Sequence, residues 1–346
     1  MSNAIPTAIV IDATVRGLAA GDSMSWMAAG QRIHLLPERR ARMLHEMASF
    51  SEERGSTTRP VPHAHNSPTV ALRPGPADDV EWFVVTAEVL SGRDQGVTLH
   101  ERWMDLAHVT DGLRARSGTH YALANLRRGL LPPQSGNDNA HYFDDIACVR
   151  AIAAGLLARD EREATVLATA DAEVTHALDG VWCAVAVAVL VQSVTSGAEL
   201  ATAVDNAVEH LPATSWSRRM VETALALAAH AVSPLDVAHQ LREHLTDRIY
   251  TYSIAAPETL AILLAHARTA RSADELLLGA LAHPRNADAL PALAGAVAGA
   301  AFGMDWVPQA LREGPIMLDG VCVPSLAGHR LDDTIDRISA ARTAEA

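Results

Sequence analysis

The chain has 346 residues, of which 49% are hydrophobic and only 4% aromatic, and its formal net charge is −13. This length can fill one large or two ordinary domains with a sizeable core. A nucleic-acid-binding protein normally presents a basic face, so the acidic balance argues against that class and predicts no nucleic-acid partner.

The three cysteines, Cys148, Cys183 and Cys322, lie far apart in apolar surroundings. They show neither a disulfide framework nor zinc-ligand spacing, and this pattern favours a reducing, cytoplasmic location. The N-terminus lacks a basic stretch followed by an apolar run, so no signal peptide is predicted. The apolar stretch from Val181 to Val194 is interrupted by Gln192 and is short for a membrane span, so we expect no membrane association.

Apolar residues with helical spacing predict a first helix over Ala8 to Ala20, which ends at Gly21-Asp22-Ser23. A charged amphipathic helix is predicted over Glu38 to Arg54, followed by a proline-punctuated loop over Gly55 to Gly75. Two loop histidines are candidate metal ligands, although exposed histidines are usually only solvated: His63 and His65.

The stretch from Gly75 to Trp82 places two adjacent carboxylates, Asp78 and Asp79, at the start of a helix predicted over Val80 to Leu90. Acids at a helix start complement the dipole and accept hydrogen bonds from free backbone N–H groups, so they can be caps. Carboxylate oxygens are also the ligands that Mg²⁺ takes. The residues alone leave both interpretations open.

Helical periodicity continues through most of the remaining chain. The predicted helices are, in order, Leu99 to Ala107, Tyr121 to Gly129, Phe143 to Arg159, Glu163 to Asp171, Leu178 to Ser196, Glu199 to Glu209, Ser217 to Ala231, Pro234 to His244, Pro257 to Arg271, Ala273 to Ala282, Leu290 to Phe302 and Asp332 to Ala346. Gly295, Gly299 and Gly303 recur at four-residue intervals, which predicts close packing of a buried central helix. Only a short pair around Ile316 to Val323 suggests strands, so the predicted fold class is all-α.

Two further polar loops precede helices, as the first acidic stretch does. Pro132 to Asn139 leads towards Asp144 and Asp145, and His283 to Asp288 precedes the helix that starts at Leu290. Helix N-termini can converge on an anion, and acids at those ends can hold a cation.

These loops, in this order, resemble the signatures of the ADP-ribosylglycohydrolase family, which includes the dinitrogenase reductase-activating glycohydrolases. The family has a helix ending in Gly-Asp, a Thr/Ser-Asp-Asp-Thr-x-Met helix start, an Arg five residues before a Gly with a later Thr-His, a Gly-Gly-Asp-x-Asp-Thr turn, and a glycine-rich helix closed by Gly-x-x-x-Ile-Pro. The matching residues are Gly21-Asp22, Ala77-Asp78-Asp79-Val80-Glu81-Trp82, Arg150 with Gly155 and Thr175-His176, Pro284 to Ala289, Ala294 to Ala300, and Gly303 with Val307-Pro308. The resemblance runs from Thr14 to Pro308.

The resemblance implies a single compact orthogonal all-α bundle over residues 1–346, with a core at about 8–310 and a C-terminal helical extension at 311–346. Typical members hold two Mg²⁺ ions in a cleft lined by these loops. They hydrolyse the bond from the anomeric carbon of an ADP-ribosyl ribose to its acceptor. The chemistry passes through an oxocarbenium-like state that carboxylates stabilise.

Carried onto this chain, the resemblance implies catalytic and metal-binding roles for Asp78, Asp79 and Asp288. We predict that a second set of residues binds substrate: Asp22, Asn137, Asp145, His176 and Asn286.

Several of these residues have simpler alternative roles. Asp22 can cap a loop, Asn137 can stabilise a turn, and His176 can be a satisfied packing histidine. Asp144 and Asp145 can be N-caps, or they can compensate for acids lost elsewhere.

Several positions depart from the family pattern. The Thr before the acid pair is Ala77, the first Asp of the late signature is Asn286, and its Thr is Ala289. Some members carry a Glu where this chain has Ala29 and an Asp where it has Gln134. Because several oxygen ligands are lost, we expect one Mg²⁺ ion or none.

The sequence therefore predicts a hydrolase that cleaves an N-ribosyl bond in an ADP-ribosylated protein or in a small NAD-derived riboside. The alternative is a non-catalytic ADP-ribose- or nucleotide-binding protein that has kept the cleft. The surviving acids Asp78, Asp79 and Asp288 favour the hydrolase, and the substitutions favour the binding protein. Substrate, leaving group and oligomeric state are left open.

Overall fold

The computed structural model describes residues 7–35, 77–92, 98–109, 111–245 and 254–344, and within the first range it describes side chains as far as Ser25. Some predictions lie outside the described residues. They are the helix Glu38 to Arg54 and the loop Gly55 to Gly75 with His63 and His65.

Sixteen α-helices account for most of the described residues. In chain order they are α1 Thr7–Leu35, α2 Asp78–Ser91, α3 Leu99–His108, α4 Ser117–Arg127, α5 Gln134–Asn137, α6 Ile146–Leu157, α7 Glu161–Ala172, α8 Asp179–Thr195, α9 Leu200–Glu209, α10 Trp216–Ala228, α11 Pro234–Leu245, α12 Ala256–Thr269, α13 Ala273–Leu281, α14 Leu290–Phe302, α15 Gln309–Glu313 and α16 Leu331–Ala344. Short 3-10 turns lie at Pro284–Asn286 and Pro324–Leu326. The described residues form no β-strand, only two isolated bridges, which confirms the all-α class.

The first helix is longer than predicted. Helix α1 runs through Gly21-Asp22-Ser23 and ends at Leu35. The glycine does not end the helix, because it serves a close contact: a Cβ at Gly21 would overlap the carbonyl oxygen of Pro291 in α14. This correction places Asp22 inside a helix, directly after a residue that touches the first turn of α14.

Glycines let α1 and α14 approach each other at backbone distance. A Cβ on Gly17 would overlap the carbonyl oxygen of Gly295, and a Cβ on Gly295 would overlap that of Gly17. Gly299 meets Ala13 in the same way. The predicted close packing is confirmed at Gly295 and Gly299, whereas Gly303, with a φ of +77°, is the C-cap that ends α14.

Helices α6 and α8 lie at the centre of the bundle. Every residue of α6 is buried, including Arg150. Helix α2 packs on α6, and α16 packs on α2. A helix that is apolar on all sides is stable only when neighbours cover each face, so these contacts follow from composition. None of the described helices combines the length and apolar character that crossing a bilayer requires.

One carboxylate fastens the C-terminal segment to α2. Glu81, only 1% exposed, accepts hydrogen bonds from the backbone N–H groups of Val321 (2.6 Å), Cys322 (2.7 Å) and Val323 (2.8 Å). These donors are therefore taken, and the strand pair expected around Ile316 to Val323 is wrong. What forms nearby is a single bridge between Met317 and Arg330.

Candidate active site

Asp22 caps α2 from a neighbouring helix. Its Oδ2 accepts hydrogen bonds from the backbone N–H groups of Ala77 (2.7 Å) and Val80 (3.1 Å), which are free donors at the start of α2. The N-cap residue itself, Ala77, has no side chain that could cap. Asp22 therefore supplies the capping carboxylate, while Asp78 and Asp79 occupy the first turn of the helix.

An arginine that the sequence analysis did not single out joins the acids. The Arg116 side chain is 11% exposed, and its Nη2 donates to Asp79 Oδ1 and to the backbone oxygen of Asp288, each at 3.2 Å. Its Nη1 donates to Asp145 Oδ1. One guanidinium therefore connects the first turn of α2, the turn before α14 and the residue before α6.

Asp145 carries this network further. Its Oδ2 accepts a hydrogen bond from the Thr259 hydroxyl at 2.7 Å, and the same hydroxyl lies 3.5 Å from Nδ2 of Asn286. All three residues are buried. Asp145 stands at the N-cap of α6 without making a capping hydrogen bond, because its oxygens are turned to Arg116 and Thr259. Five of the predicted site residues are thus joined by hydrogen bonds or adjacency: Asp78, Asp79, Asp145, Asn286 and Asp288.

Burial and mutual repulsion disfavour the charged forms of two of these acids. Burial, followed by the charge of Asp78, raises the pKa of Asp22 to about 7, although the two amides and Arg116 act the other way. Burial and then Asp78 also raise the pKa of Asp79 well above its usual range, against the attraction of Arg116. Asp22 Oδ1 and Asp79 Oδ2 are buried and find no hydrogen-bond partner among the described residues.

His176 belongs to a separate buried network. Its Nε2 lies 2.9 Å from Asp144 Oδ1, and its Nδ1 lies 2.6 Å from the Thr175 hydroxyl. Arg150 donates to that hydroxyl (2.7 Å) and to Asp171 Oδ2 (2.7 Å). Both ring nitrogens of His176 are therefore engaged by protein atoms, as in the packing alternative.

Asp144 lies between this network and the site. It accepts a hydrogen bond from the Ile146 N–H at 3.1 Å, so Asp144 is the residue whose side chain caps the start of α6. That helix begins at Ile146, later than the predicted Phe143. Burial alone would raise the pKa of Asp144, but His176, Arg116 and the Ile146 amide together lower it.

The remaining predicted site residues differ in exposure. Asp78 and Asp288 are half-buried, so they lie where a solute can reach the cluster. Asn137 is exposed on the short helix α5, whose neighbour Ser135 donates to the Val174 backbone oxygen at 2.8 Å. The described contacts of α5 thus tie it to the segment before His176 rather than to the carboxylates.

Sequence reasoning missed Arg116 and Thr259. The signal at Arg116 appears only once the helix start is known: it is the N-cap residue of α4, where the helix dipole disfavours positive charge, whereas the sequence predicted this helix from Tyr121. A cation at that position needs a compensating partner, and this is what Asp79 and Asp145 provide. Thr259 lies in an apolar helix and carried no comparable signal.

Cys322 lies beside the acids but is not a nucleophile. Burial, followed by Asp78 and Glu81, raises the pKa of its thiol to about 12. The thiol is therefore protonated at neutral pH, whereas nucleophilic cysteines react as thiolates.

The two Mg²⁺ ions implied by the sequence resemblance do not fit these residues. Arg116 already holds Asp79, Asp145 and the Asp288 carbonyl. Ala77 and Ala289 offer no side-chain oxygen, and Asn286 offers only a neutral one. Across the ranges of the chain that the structure describes, no group of three or more His, Cys, Asp or Glu residues is arranged to hold a metal ion.

Comparison with known proteins agrees with the all-α fold. A family model described as ADP-ribosylglycohydrolase matches residues 11–342. Among solved structures, a chain described as an ADP-ribosylglycohydrolase-related protein complex is similar to this one, with a TM-score of 0.60 and 19% identity over 99% of each chain. At that identity the likeness shows the fold, a compact helical bundle. The curated proteins contain no significant match. Since the family model spans nearly all of the chain, the protein belongs to the ADP-ribosylglycohydrolase family.

Proposed function

We propose that this protein hydrolyses the N-glycosidic bond between the anomeric carbon of a ribose and a nitrogen atom. The ribose belongs to an ADP-ribosyl group or to a smaller NAD-derived riboside. The supporting observation is the gathering of carboxylates from separate parts of the chain around the guanidinium of Arg116, with the half-buried Asp78 and Asp288 among them. Family membership supports the reaction class.

Carboxylates suit this reaction because positive charge develops on the sugar as the C–N bond breaks. The bonding electron pair leaves with the nitrogen, and a water oxygen attacks the anomeric carbon and loses a proton to a carboxylate. Asp78 and Asp288 are the half-buried acids, so they can lie against the reacting carbon and the water. Asp79 is buried in the same cluster, and its ion pair with Arg116 favours the charged form that adds to the negative field.

The hydroxyls of a bound ribose could donate hydrogen bonds to the two carboxylate oxygens of this cluster that lack a partner. Asp22 Oδ1 and Asp79 Oδ2 are acceptors without a donor among the described residues. An unmet buried acceptor costs about 1–3 kcal/mol, and a donor from the ligand can recover part of this energy. Vicinal hydroxyls supply two such donors, which favours a ribosyl group over a sugar lacking them.

A second candidate function is ADP-ribose or nucleotide binding without catalysis. The oxygen ligands lost at Ala77 and Ala289 and the charge lost at Asn286 favour it, because the resemblance gives these positions to the family's metal-binding side chains. A binding protein needs the cleft and its acceptors but no activated water.

The two functions separate in one screen. ADP-ribosylated peptides, NAD, ADP-ribose and simple ribosides are incubated with the protein, with and without Mg²⁺, and release of free ribose or ADP-ribose is measured beside calorimetric binding. The proposal expects turnover of at least one riboside, lost in Asp78→Asn. Tight binding of ADP-ribose with no turnover of any compound would establish the second function instead.

A further inference from the structure

We infer that Arg116 occupies the place of a divalent cation in this acidic site, so that the site binds and turns over its ligand without a metal ion. For turnover the inference rests on the function proposed above. For cation binding it stands on the geometry of the site alone.

The atoms around the guanidinium are those that a hard cation takes. Asp79 and Asp145 each contribute one carboxylate oxygen, and Asp288 contributes its backbone carbonyl oxygen. Mg²⁺ and Ca²⁺ bind carboxylate and carbonyl oxygens of this kind. Here all three accept hydrogen bonds from one side chain, which links the three acidic helix starts as a bridging ion would.

The guanidinium charge is permanent. Arginine stays protonated in proteins, and its planar fork bonds carboxylates with defined geometry. Burial alone would lower the pKa of Arg116, but Asp79 and Asp78 raise it above its usual value. The cationic form is therefore present at every working pH.

A metal ion at the same oxygens would meet strong repulsion. It would lie against a positive group whose side chain is 11% exposed, where solvent screens charge poorly. Arg116 cannot leave without breaking its hydrogen bonds to Asp79, Asp145 and the Asp288 carbonyl, so metal and arginine exclude each other.

The positions at which this chain departs from the family signatures agree with the replacement of a metal ion by Arg116. Ala77 and Ala289 remove ligand oxygens and Asn286 removes one negative charge. A site that exchanges a divalent ion for a single positive charge needs fewer negative charges and fewer ligands. The side-chain Nδ2 of Asn286 lies instead 3.5 Å from the Thr259 hydroxyl.

The test measures cation binding directly. Mg²⁺ and Mn²⁺ are titrated into chelator-treated protein, with heat of binding and Tm as readouts, for the parent, Arg116→Ala, Arg116→Gln, Arg116→Lys and Arg114→Ala. Arg114 is exposed in the same segment and controls for loss of one positive charge. The parent, Arg116→Lys and Arg114→Ala should show no saturable binding and no change in Tm. The neutral Arg116 variants should melt earlier and gain several degrees in Tm with Mn²⁺, because the vacated oxygens then accept the ion.

Two cation-binding results would overturn the inference. One is stoichiometric Mg²⁺ or Mn²⁺ binding by the parent, which is measured even if neither neutral variant folds. The other is a folded neutral variant that responds to cations no more than Arg114→Ala does. Failure of the proposed function is a separate result. A parent protein that hydrolyses no riboside and binds no Mg²⁺ or Mn²⁺ would contradict the function but support the role of Arg116. A parent that hydrolyses a riboside only with Mg²⁺ supports the function and ends the inference.

Discussion

The carboxylate of Asp22 accepts a hydrogen bond from the backbone N–H of Val80 at 3.1 Å, so that a residue within α1 caps α2. The same Oδ2 accepts from Ala77 at 2.7 Å. This contact holds the acid pair Asp78 and Asp79 in fixed register against α1, and through α1 against α14. Helix capping and site assembly therefore share one side chain.

Loss of this cap should destabilise the protein measurably. Asp22→Ala should lower the free energy of unfolding by about 1–2 kcal/mol, as for other cap deletions. Asp22→Asn should lower it less, because the amide keeps an acceptor oxygen and avoids the buried charge that raises the pKa of Asp22 to about 7. Urea unfolding of both variants beside the parent measures the difference. Equal destabilisation by Ala and Asn would show that the cap is not what Asp22 contributes.

Removal of a site charge should impair turnover more than stability. Asp79→Asn and Asp288→Asn keep size and hydrogen bonding, and each should lower kcat by roughly a hundredfold or more, as for other electrostatic groups in a site. KM should change less, because the carboxylates act mainly on the charge of the transition state. Steady-state kinetics on whichever riboside the parent cleaves tests this.

The matched control for this pair is Asp319→Asn, which removes one charge from an exposed position. It should keep full activity. If Asp79→Asn and Asp288→Asn also keep full activity and merely melt earlier, the acids are structural and the chemistry lies elsewhere.

The contact between α1 and α14 should tolerate no added methyl group. Gly295→Ala places a Cβ on the carbonyl oxygen of Gly17, so the helices must separate. We expect a loss of about 1–3 kcal/mol in unfolding free energy, as for other overpacked cores. Ala300→Ser adds one atom to a half-buried position of the same helix and should change stability far less. Similar Tm values for both variants would contradict this account.

A buried histidine pair should make stability depend on pH. Nε2 of His266 and Nε2 of His283 lie 2.9 Å apart, so at least one ring must be neutral to accept. Burial lowers the pKa of His266 to about 4, and burial, His266 and Arg242 lower the pKa of His283 well below its usual 6.5. At pH values between the lowered pKa of each folded histidine and the usual 6.5, the unfolded chain binds more protons than the folded one. The stability is present above pH 6.5 and is lost as the pH falls towards the folded pKa values.

The measurement is unfolding free energy from pH 8 to pH 4.5 for the parent and for the double variant His266→Gln/His283→Gln. The parent should lose up to about 1.4 kcal/mol per pH unit for each histidine below its unfolded pKa, and the double variant should lose correspondingly less. Asp22, whose raised pKa acts in the opposite sense, is common to both and cancels in the difference. His230→Gln, at an exposed position, should follow the parent. Parallel curves for the parent and the double variant would refute the role of the pair.

The all-α class could be predicted because most helices carry a periodic apolar face or are apolar throughout. Helix α14 was predicted with its observed bounds, Leu290–Phe302. The end of α1 was not predicted correctly, because a glycine such as Gly21 can have either of two structural roles. A glycine can end a helix or admit a neighbour's backbone, and only the position of Pro291 decides between them.

The candidate site was predictable only in part, for a related reason. Asp78, Asp79 and Asp288 stand at helix starts, and family signatures mark them. The role of Arg116 depends on its contacts with Asp79 and Asp145, which are distant from it in sequence. No local pattern encodes a pairing of this kind.

The carboxylate of Glu81 has a consequence for how the molecule opens. It joins two segments that are 240 residues apart in sequence, since it binds the amides of Val321, Cys322 and Val323. Those amides lie outside any regular helix, where hydrogen exchange is normally fast, yet they can exchange only when the segment leaves α2. We expect them to exchange as slowly as the amides of α2 itself. In Glu81→Gln both sets should accelerate together, because α2 and the segment from Val321 to Val323 then lose their shared protection.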